Sequence, residues 1–427
     1  LGLSRGSWSG TFAYIRWRMF GHLEGLREAS SRSPLTAYVG FDPSASSLHV
    51  GSLLPIMALV HLQRAGNVPI ALVGGGTGMI GDPSGKVTER PIMTQEQVAS
   101  NLQSIQGQLS HFIDFKTKTN NAILINNADW LGSLSLQDFL RDTGKHFTVN
   151  YMLGKESVSR RLEGGISFTE FAYMLLQAFD YLQLFERHGC TLQMGGSDQW
   201  GNITAGIELV RRVHRANVHG LVLPLVTNTA GAKFGKTEAG TIWLDPKLTS
   251  PYRFYQFWLN TDDRDVIRYL RYFTFLGQDV IEDQATRLED APHDRVPHQT
   301  LAKEVTRLVH GDAALGKAER ATKVLFGGDV TGLAAEDLKE ILADVPSTRI
   351  PKSDLTGAGL SVTDLAVMSH IARSKADGAR LAESGGMYIN NIRVSNPRAT
   401  VTLSDAIEGS VLLIRKGAKE YRLIELV

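Results

Sequence analysis

Residues 36–52 read TAYVGFDPSASSLHVGS and contain a strand, a turn and the start of a helix in direct succession. Thr36–Phe41 is an apolar run of strand length, which predicts a buried strand. Residues 42–47 are rich in Asp, Pro and Ser, which are typical turn residues. Apolar residues then recur at steps of four and three, so we predict a helix over 51–64. This order places a polar turn at the carboxyl end of a buried strand.

The same alternation continues up to about residue 245. Strands that alternate with amphipathic helices predict an α/β domain with a parallel sheet. The further elements that we predict in this domain are strands at 69–73, 122–125 and 192–194, and helices that begin at the capping boxes Thr94/Gln97 and Ser167/Glu170.

The composition is typical of a globular protein, with 43% hydrophobic and 21% charged residues. No apolar run approaches the roughly 18 residues of a membrane span, so we predict no membrane partner. The formal net charge of +1 means that nucleic-acid binding would depend on local basic patches. The single cysteine, Cys190, excludes an intramolecular disulfide and a multi-cysteine zinc site, and we predict no resident metal site. Such sparse cysteine is typical of a reducing compartment, and we predict a cytoplasmic location.

Residues 1–35 differ in character from the rest of the chain. They carry Arg5, Arg16 and Arg18 and no acidic residue before Glu24. This composition resembles an organellar transit peptide, so a mitochondrion or another organelle is the alternative location. An N-terminal extension or strap on the catalytic domain is the other interpretation.

The hydrophobic pattern changes after the α/β region and predicts three further segments. Residues 246–326 have helical periodicity, and the Gly, Pro and Ser residues in 327–358 predict a linker. Residues 359–427 combine helical pattern with short strands. The predicted fold is therefore a Rossmann-like parallel-sheet domain at 36–245, a helical domain, and a small C-terminal α+β domain.

The segment His49-Val50-Gly51-Ser52 lies where the first loop gives way to a helix. Free backbone N–H groups and the positive end of the helix dipole meet there, so the segment is suited to bind phosphate. Gly51 allows a ligand to approach closely, and His49 can donate a hydrogen bond to a phosphate oxygen. A histidine that only caps the helix is the alternative.

The segment Lys233-Phe234-Gly235-Lys236-Thr237 carries two ammonium groups three residues apart around a glycine. Two such cations can neutralise the charge that develops as pyrophosphate leaves a nucleotide. A solvated basic turn is the alternative.

Residues 76–81 match the pattern GxGxxG and follow the second predicted strand, which would indicate a dinucleotide-binding oxidoreductase. The fingerprint requires an uninterrupted helix, whereas prolines and a glycine between 83 and 91 interrupt this segment. We therefore interpret Asp82 as a carboxylate at the end of a strand. Two possible phosphate contacts follow it, namely Lys86 and Arg90.

Tyr173, Gln177 and Asp180 are four and three residues apart on the helix that opens at Ser167, so they form one polar stripe. Residues 195–202, GGSDQWGN, again place glycines at a strand end and polar residues after them. Both sets are predicted to face a crevice at the carboxyl ends of parallel strands. An ordinary exposed helix face is the alternative for the stripe.

Taken together, these motifs resemble the bacterial-type tyrosyl-tRNA synthetases, which are class I aminoacyl-tRNA synthetases. The similarity extends from about Thr36 to the C-terminus. HVGS and KFGKT correspond to the two class I signature motifs, and 361–427 resembles an S4-like RNA-binding module. The resemblance rests on YVGFDP at 38–43, HVGS at 49–52, GDPSG at 81–85, the stripe Tyr173/Gln177/Asp180, GGSDQWGN at 195–202 and KFGKT at 233–237.

The resemblance implies a role for each residue that matches a family motif. The implied tyrosine-binding residues are Tyr38, Asp82, Tyr173, Gln177, Asp180 and Gln199. The implied ATP-binding residues are Gly40, Asp42, Ser44, His49, Ser52, Gly196, Asp198 and Lys236. The implied catalytic residues are His49, Ser52, Lys86, Arg90, Lys233, Lys236 and Thr237. The implied RNA-binding residues are Arg373, Lys375, Arg380, Arg415 and Lys416.

The resemblance also implies the reaction and the partners. Tyrosine would be activated with ATP, accompanied by Mg²⁺, and the tyrosyl group would pass to tRNA(Tyr), with no tightly bound cofactor. The enzyme would be a homodimer. One position departs from the family pattern, because Ser52 stands where a second histidine is common and brings a donor without positive charge.

Two alternatives remain open from the sequence. One is a class I synthetase for another amino acid, of which tryptophan is the closest in architecture. The other is an RNA-binding protein that keeps the synthetase fold without the activity.

Overall fold

The computed structural model describes residues 34–82, 84, 93–162, 164–227, 234–237, 240–328, 330, 334–342, 345–417 and 420–427. Packing divides the chain into two compact units. The first holds the described residues up to Leu248 together with Asn260–Leu301, and the second holds Thr249–Leu259 together with Ala302–Val427. These units do not correspond one to one with the predicted domains, because helices of the predicted helical region belong to both.

The first unit is built on a sheet of five parallel strands. They are β1 (Thr36–Phe41), β2 (Val68–Val73), β3 (Ile123–Asn126), β4 (Leu192–Gly196) and β5 (His219–Leu223). Their order is β3-β2-β1-β4-β5, and every neighbouring pair is parallel. The order reverses between β1 and β4, which opens a crevice at the carboxyl ends of these two strands. The predicted Rossmann-like parallel sheet is confirmed.

Helices cover the sheet and continue the chain. In order they are α1 (Leu53–Arg64), α2 (Gln95–Phe112), α3 (Ala128–Leu131), α4 (Leu136–Asp138), α5 (Val149–Leu153), α6 (Glu156–Leu162), α7 (Phe168–His188), α8 (Trp200–His214), α9 (Pro251–Leu259), α10 (Asp263–Phe273), α11 (Gln278–Asp290) and α12 (Val296–Leu325). A short hairpin, β6 (Lys236–Thr237) with β7 (Gly240–Thr241), precedes α9. Helix α12 is kinked at Gly311, where φ is 81°. Within the described part of the chain, none of the helices has both the length and the apolar character to cross a membrane.

The two predicted capping boxes differ in the structure. At the start of α2, Thr94 and Gln97 exchange both hydrogen bonds, at 3.2 and 3.0 Å, so this box is confirmed. At the start of α7, the Ser167 hydroxyl accepts from the Glu170 backbone N–H at 3.3 Å. The Glu170 carboxylate instead accepts two hydrogen bonds from the buried Arg161 guanidinium, at 2.9 and 2.8 Å. A buried cation requires its partner, which explains why this box is only half formed.

Helices α7 and α8 approach each other closely at Gly206. A Cβ atom at this position would lie 2.8 Å from Cδ1 and 3.1 Å from Cβ of Tyr181. Tyr181 cannot move away easily, because it is fully buried and its hydroxyl donates to the His219 carbonyl at 2.8 Å. This contact lies in the core between the sheet and the two helices.

The second unit contains a five-stranded mixed sheet with the order β11-β10-β13-β14-β8. Its strands and the two that form a small separate sheet are β8 (Ser347–Ile350), β9 (Leu360–Ser361), β10 (Met387–Ile389), β11 (Ile392–Val394), β12 (Thr400–Val401), β13 (Val411–Lys416) and β14 (Glu420–Leu426). The helices that accompany them are α13 (Ala335–Ile341), α14 (Val362–Met368) and α15 (Lys375–Glu383). Strand β8 lies within the predicted linker and pairs in parallel with β14.

Both faces of this sheet are covered. Because side chains alternate along a strand, Leu412 and Ile414 point to one core, which contains α14, whereas Val411 and Leu413 point to the other. The second core includes Leu325 at the end of α12 and residues of α13. The sequence therefore has a helical region followed by a strand-rich C-terminal domain, as predicted.

The close approach at Gly206 yields a stability prediction. We expect Gly206→Ala to lower the free energy of unfolding by about 1–2 kcal/mol, because the added methyl overpacks the contact with Tyr181. Urea unfolding followed by circular dichroism measures the change. Gly107→Ala is the matched control, since Gly107 lies within α2 with nothing within 4 Å of an added Cβ. That control should stabilise the protein by about 0.5–1 kcal/mol, and stabilisation by both substitutions would contradict the packing argument.

Candidate active site

The crevice between β1 and β4 is edged by the residues that the sequence assigned to ATP. Gly40 is exposed near the end of β1, and nothing lies within 4 Å of a Cβ built there. Gly196 ends β4, and Asp198 lies in the turn that follows it. Ser44 lies in the loop after β1, where its N–H donates to the Asp42 carbonyl at 2.8 Å. The fold therefore gathers these four residues at the switch point of the sheet.

Tyr38 is a buried phenol on β1 with unused hydrogen-bonding capacity. Its side chain is 1% exposed, and its hydroxyl has no hydrogen-bond partner among the residues that the structure describes. The ring packs edge-on against Tyr181, with 5.3 Å between centroids. Burial, reinforced by the negative charge of Asp180, raises the pKa of Tyr38, so the phenol is neutral. A buried hydroxyl without a partner is costly, and a polar ligand group would satisfy it.

Asp180 is a second buried group, on α7, and it is held in place by two donors. Its carboxylate accepts from Asn127 Nδ2 at 2.9 Å and from Trp130 Nε1 at 2.7 Å. Burial raises the pKa of Asp180 to about 7, although these two hydrogen bonds lower it. A carboxylate has about four acceptor positions, so Asp180 can still accept from a ligand.

A hydrogen-bond network connects Asp180 with the loop after β1. The second donor of the Asn127 amide bonds Thr77 Oγ1 at 3.0 Å, and Thr77 in turn donates to Asp42 at 2.9 Å. The other oxygen of Asp42 accepts from the Tyr173 hydroxyl at 3.0 Å. Asp42 therefore holds Tyr173 of the helix stripe in place. It also lies at the edge of the crevice, among the residues that the resemblance assigned to ATP.

A second network gathers three of the sequence motifs. Gln199 Nε2 donates to Asp82 at 2.7 Å, and the Ser84 N–H donates to the other Asp82 oxygen at 2.9 Å. Asn202 Nδ2 donates to Gln177 at 3.0 Å and lies 3.2 Å from Gln199 Oε1. Gln177 of the stripe on α7, Asp82 and Ser84 of GDPSG, and GGSDQWGN thus meet at one place. The convergence predicted for the stripe and GGSDQWGN is observed.

The HVGS segment forms the short 3-10 turn Val50–Ser52 that leads into α1. His49 Nδ1 accepts from the Gly51 N–H at 3.0 Å, so in the neutral ring the proton is on Nε2. His49 therefore caps the turn, and the same hydrogen bond leaves Nε2 as the donor nitrogen. The Ser52 N–H donates to the His49 carbonyl at 2.8 Å.

The KFGKT segment packs against HVGS through its glycine. Gly235 has a φ of 79°, and a Cβ there would lie 2.4 Å from Val50 Cγ2. Only glycine combines this backbone conformation with this approach. The Gly235 carbonyl accepts from the Ile242 N–H at 2.9 Å, and the Ile242 carbonyl accepts from the Val50 N–H at 3.0 Å. The HVGS and KFGKT segments are thus joined through Ile242 by backbone hydrogen bonds.

Several predicted residues lie outside the described part of the chain. They are Lys86, Arg90 and Lys233. Lys236 and Thr237 contribute their backbone to β6, whereas their side chains lie outside the description. Their assigned functions stay predictions.

The residues that hold Asp180 and Gln177 in place were not predicted from the sequence. Asn127 and Trp130 follow β3, and Thr77 lies in the turn after β2. Asn127 could have been found from its position directly after a buried strand. The same reasoning led to the interpretation of Asp82 as a carboxylate at the end of a strand. Asn202 was part of a quoted motif but had no assigned function.

In the second unit, the predicted RNA-binding residues already have contacts within the protein. Arg373 is exposed two residues before α15, and its backbone N–H donates to the Asp377 carboxylate at 3.1 Å. The contacts of the others are Lys375 with Asp364 at 2.6 Å, Arg380 with Asp377 at 3.6 Å, Lys416 Nζ with the Ile371 carbonyl at 3.3 Å, and the Arg415 guanidinium with the Tyr388 ring at 3.5 Å and the Gly417 carbonyl at 2.6 Å. The exposed ion pairs are weak, so phosphate could replace them, and the assignment stays a prediction.

Comparison with known proteins identifies the family. Residues 30–327 match the model of the class I tRNA synthetases (W and Y), and residues 337–424 match the SYY-like C-terminal domain of tyrosine–tRNA ligases. The tyrosine–tRNA ligase of Roseiflexus castenholzii is 55% identical over 417 residues, which cover 97% of this chain and 98% of that protein. The ligase of Geobacillus stearothermophilus is 50% identical over 402 residues, covering 94% and 95%.

A solved structure agrees with the sequence comparison. The C-terminally truncated mitochondrial tyrosyl-tRNA synthetase of Aspergillus nidulans superimposes with a TM-score of 0.66 at 30% identity, covering 74% of this chain and 94% of that one. The strand order, the motifs at the crevice and these similarities agree, and the chain belongs to the class I tRNA synthetases of the tryptophan and tyrosine family.

Proposed function

We propose that the chain is a tyrosine–tRNA ligase. It activates L-tyrosine with ATP to give tyrosyl-adenylate and pyrophosphate, and then transfers the tyrosyl group to the 3′-terminal adenosine of tRNA(Tyr). The observation that carries this proposal is the pair of buried polar groups, Tyr38 and Asp180, beside the switch-point crevice. Relatives that are named tyrosine–tRNA ligases, at 50–55% identity over nearly the whole chain, support it.

The buried pair explains the choice of amino acid. A substrate phenol can donate to Asp180 and share a hydrogen bond with the Tyr38 hydroxyl. Phenylalanine would leave the buried Tyr38 hydroxyl without a partner and would not fill the remaining acceptor positions of Asp180. An unpaired buried neutral group costs about 1–3 kcal/mol, and a charged one costs more. Selectivity for tyrosine over phenylalanine then follows from the pocket itself.

The activation step needs positioning and charge stabilisation more than acid–base chemistry. The tyrosine carboxylate is ionised at neutral pH and attacks the α-phosphorus, so an O–P bond forms as the bond to pyrophosphate breaks. His49 Nε2 donates to a phosphate oxygen, and Lys233 and Lys236 neutralise the leaving pyrophosphate. Asp82 and Gln199 hold the ammonium and carboxylate end of tyrosine.

Magnesium would arrive with the nucleotide. Asp42, Asp82 and Asp180 each accept hydrogen bonds from neighbouring side chains or backbone. Phosphate oxygens and water are therefore the better ligands, which matches the usual preference of Mg²⁺. The ion supplies positive charge that stabilises the leaving pyrophosphate.

Pyrophosphate exchange into ATP tests the proposal when tyrosine, phenylalanine and tryptophan are compared side by side. We expect exchange with tyrosine alone, and charging of tRNA(Tyr) by the same preparation. Exchange that depends on tryptophan would instead make the chain a tryptophan–tRNA ligase, the other activity of the family. RNA binding without exchange for any of the three would favour the non-enzymatic alternative.

The raised pKa of Asp180 predicts an acid limb in the activity profile. When the pH is below about 7, the pKa of Asp180, the carboxyl is protonated and can no longer accept hydrogen bonds as an anion. We expect kcat/KM for tyrosine, which reports groups of the free enzyme, to fall as pH drops below about 7. Exchange rates measured between pH 5.5 and 8.5 provide the profile. Asp180→Asn should be less active and should lack this limb, and an identical limb in that variant would refute the assignment.

The first unit also has a surface suited to a second copy of the chain. Among the exposed large apolar side chains of its described residues, five form a cluster in the sequence, within 136–168, namely Leu136, Leu140, Val149, Leu162 and Phe168. Exposed apolar side chains that share one surface mark protein interfaces. We propose that this surface forms the homodimer that the resemblance implies.

Phe168 is the most exposed member of the cluster, at 76%. We expect Phe168→Asp to convert dimer to monomer in sedimentation velocity, because a carboxylate resists burial in the interface. Folding should survive, since Phe168 begins α7 and an acid is favourable at a helix start. Val213→Asp, on α8 outside the cluster, is the control. A dimer that persists in Phe168→Asp would place the interface elsewhere.

The location of the protein remains a proposal. A cytoplasmic enzyme is consistent with the single buried cysteine. The basic residues that suggest an organelle lie within 1–33, outside the described residues. Fractionation of cells that express the full chain, followed by detection with an antibody, decides between the two.

A further inference from the structure

Phe234, the aromatic residue of KFGKT, is anchored in the helical layer of the first unit. Its side chain is 8% exposed. Its ring lies edge-on to Tyr269, with 4.9 Å between centroids, and is stacked on Phe273 at 5.6 Å with only 4° between planes. Both partners lie on α10, one turn apart. Aromatic pairs of this geometry stabilise a contact beyond the burial of their rings.

The same helix also binds Thr227, the residue that precedes 228–233 in the sequence. The Thr227 carbonyl accepts from the Arg268 guanidinium at 3.0 Å and from the Tyr269 hydroxyl at 3.3 Å. Arg268 is oriented by a second hydrogen bond, to the buried Asp265 carboxylate at 2.5 Å. Burial, reinforced by Asp265, raises the pKa of Tyr269 to about 12, so its hydroxyl is a donor at neutral pH.

Thr227 and Phe234 are therefore fixed by neighbouring residues of one helix. The Phe234 N–H also donates to the Val226 carbonyl at 3.2 Å, which brings the two ends together. Beyond Phe234, the chain passes directly to Gly235, which contacts Val50 of the first signature. The second signature, KFGKT, thus contacts the first signature, HVGS, through Gly235 and Val50. It contacts α10 through Phe234.

We propose that Arg268, Tyr269 and Phe273 form a positioning set that places the second signature for the activation of tyrosine. They act through Thr227 and Phe234 and touch no reacting atom. The inference rests on the proposed function of that signature in the activation step. Lys233 is the chain neighbour of Phe234 and Lys236 follows two residues later, so displacement of Phe234 shifts the start of both side chains. A misplacement of about 1 Å can slow an enzymatic step by about 100-fold.

The test separates placement of the second signature from binding of tyrosine and from general loosening of the fold. Phe273→Ala removes the stacking partner of Phe234, and Tyr269→Phe removes only the hydroxyl that holds Thr227. Ile281→Ala is the matched control, because Ile281 is fully buried on α11, the next helix of the same layer. Rapid-quench measurement gives the rate constant of tyrosyl-adenylate formation, and equilibrium dialysis gives the Kd for tyrosine.

We expect Phe273→Ala to lower the rate constant of adenylate formation by about 10-fold to 100-fold. Tyr269→Phe should lower it by about 2-fold to 10-fold, the usual effect of one hydrogen bond. The Kd for tyrosine should stay within about twofold, because Tyr38 and Asp180 belong to a different part of the unit. Ile281→Ala should leave the rate constant near that of the unchanged protein.

A second readout does not depend on activity. Hydrogen exchange of the amides of Phe234 and Ile242 should accelerate in Phe273→Ala and not in Ile281→Ala. Unchanged exchange at these amides, or equal loss of rate in Ile281→Ala, would overturn the positioning set. An inactive unsubstituted protein would instead refute the proposed function, whereas accelerated exchange in Phe273→Ala would still support the anchoring by α10.

Discussion

The reversal of strand order between β1 and β4 determines where the first unit can bind a ligand. Connections to either side of this point leave the carboxyl ends of the two strands uncovered, so polar residues placed directly after those strands converge. Gly40 and Gly196 leave room at the strand ends, and Asp42 and Asp198 follow in the adjoining turns. Without this reversal, motifs that are more than a hundred residues apart would not share one crevice.

Burial of polar groups beside that crevice imposes a second requirement, because each buried group needs partners. The structure meets it by sharing donors. Asn127 uses its two amide hydrogens on Thr77 and Asp180, and Asp42 accepts from Thr77 and Tyr173. Tyr38 and its cross-strand neighbour Gln193 are exceptions, since the Tyr38 hydroxyl and Gln193 Oε1 lack hydrogen-bond partners within the described residues. Buried polar atoms without partners beside an otherwise connected network can be satisfied by the polar groups of a ligand.

The sequence predicted the elements that have strong local signals. Strand β1 has its predicted bounds, and β2 and β3 begin within one residue of them. Short strands that follow turns, such as β5 and β8, were missed, because their identity depends on pairing with distant partners. The same limit applies to the site. Tyr173, Gln177 and Asp180 share a helix face and could be found by spacing, whereas Trp130 and Asn127 reach Asp180 across about fifty residues of chain. The Glu170 side chain was predicted to complete a capping box, but it pairs with the buried Arg161 of another helix.

The two-faced sheet of the second unit has a consequence for how the chain can be divided. Val411, Leu413 and Leu423 of this sheet share a core with Leu325 and Leu338, which come before all of its strands in the chain. The Tyr421 hydroxyl donates to the Leu325 carbonyl, and Asn391 donates to the Val324 carbonyl at 2.8 Å. A fragment cut at Gly359 would therefore lose both strand β8 and one wall of its interior. The part of the chain that packs as one folded unit is the sheet together with the end of α12. A fusion protein that keeps this fold intact therefore has to begin within that helix.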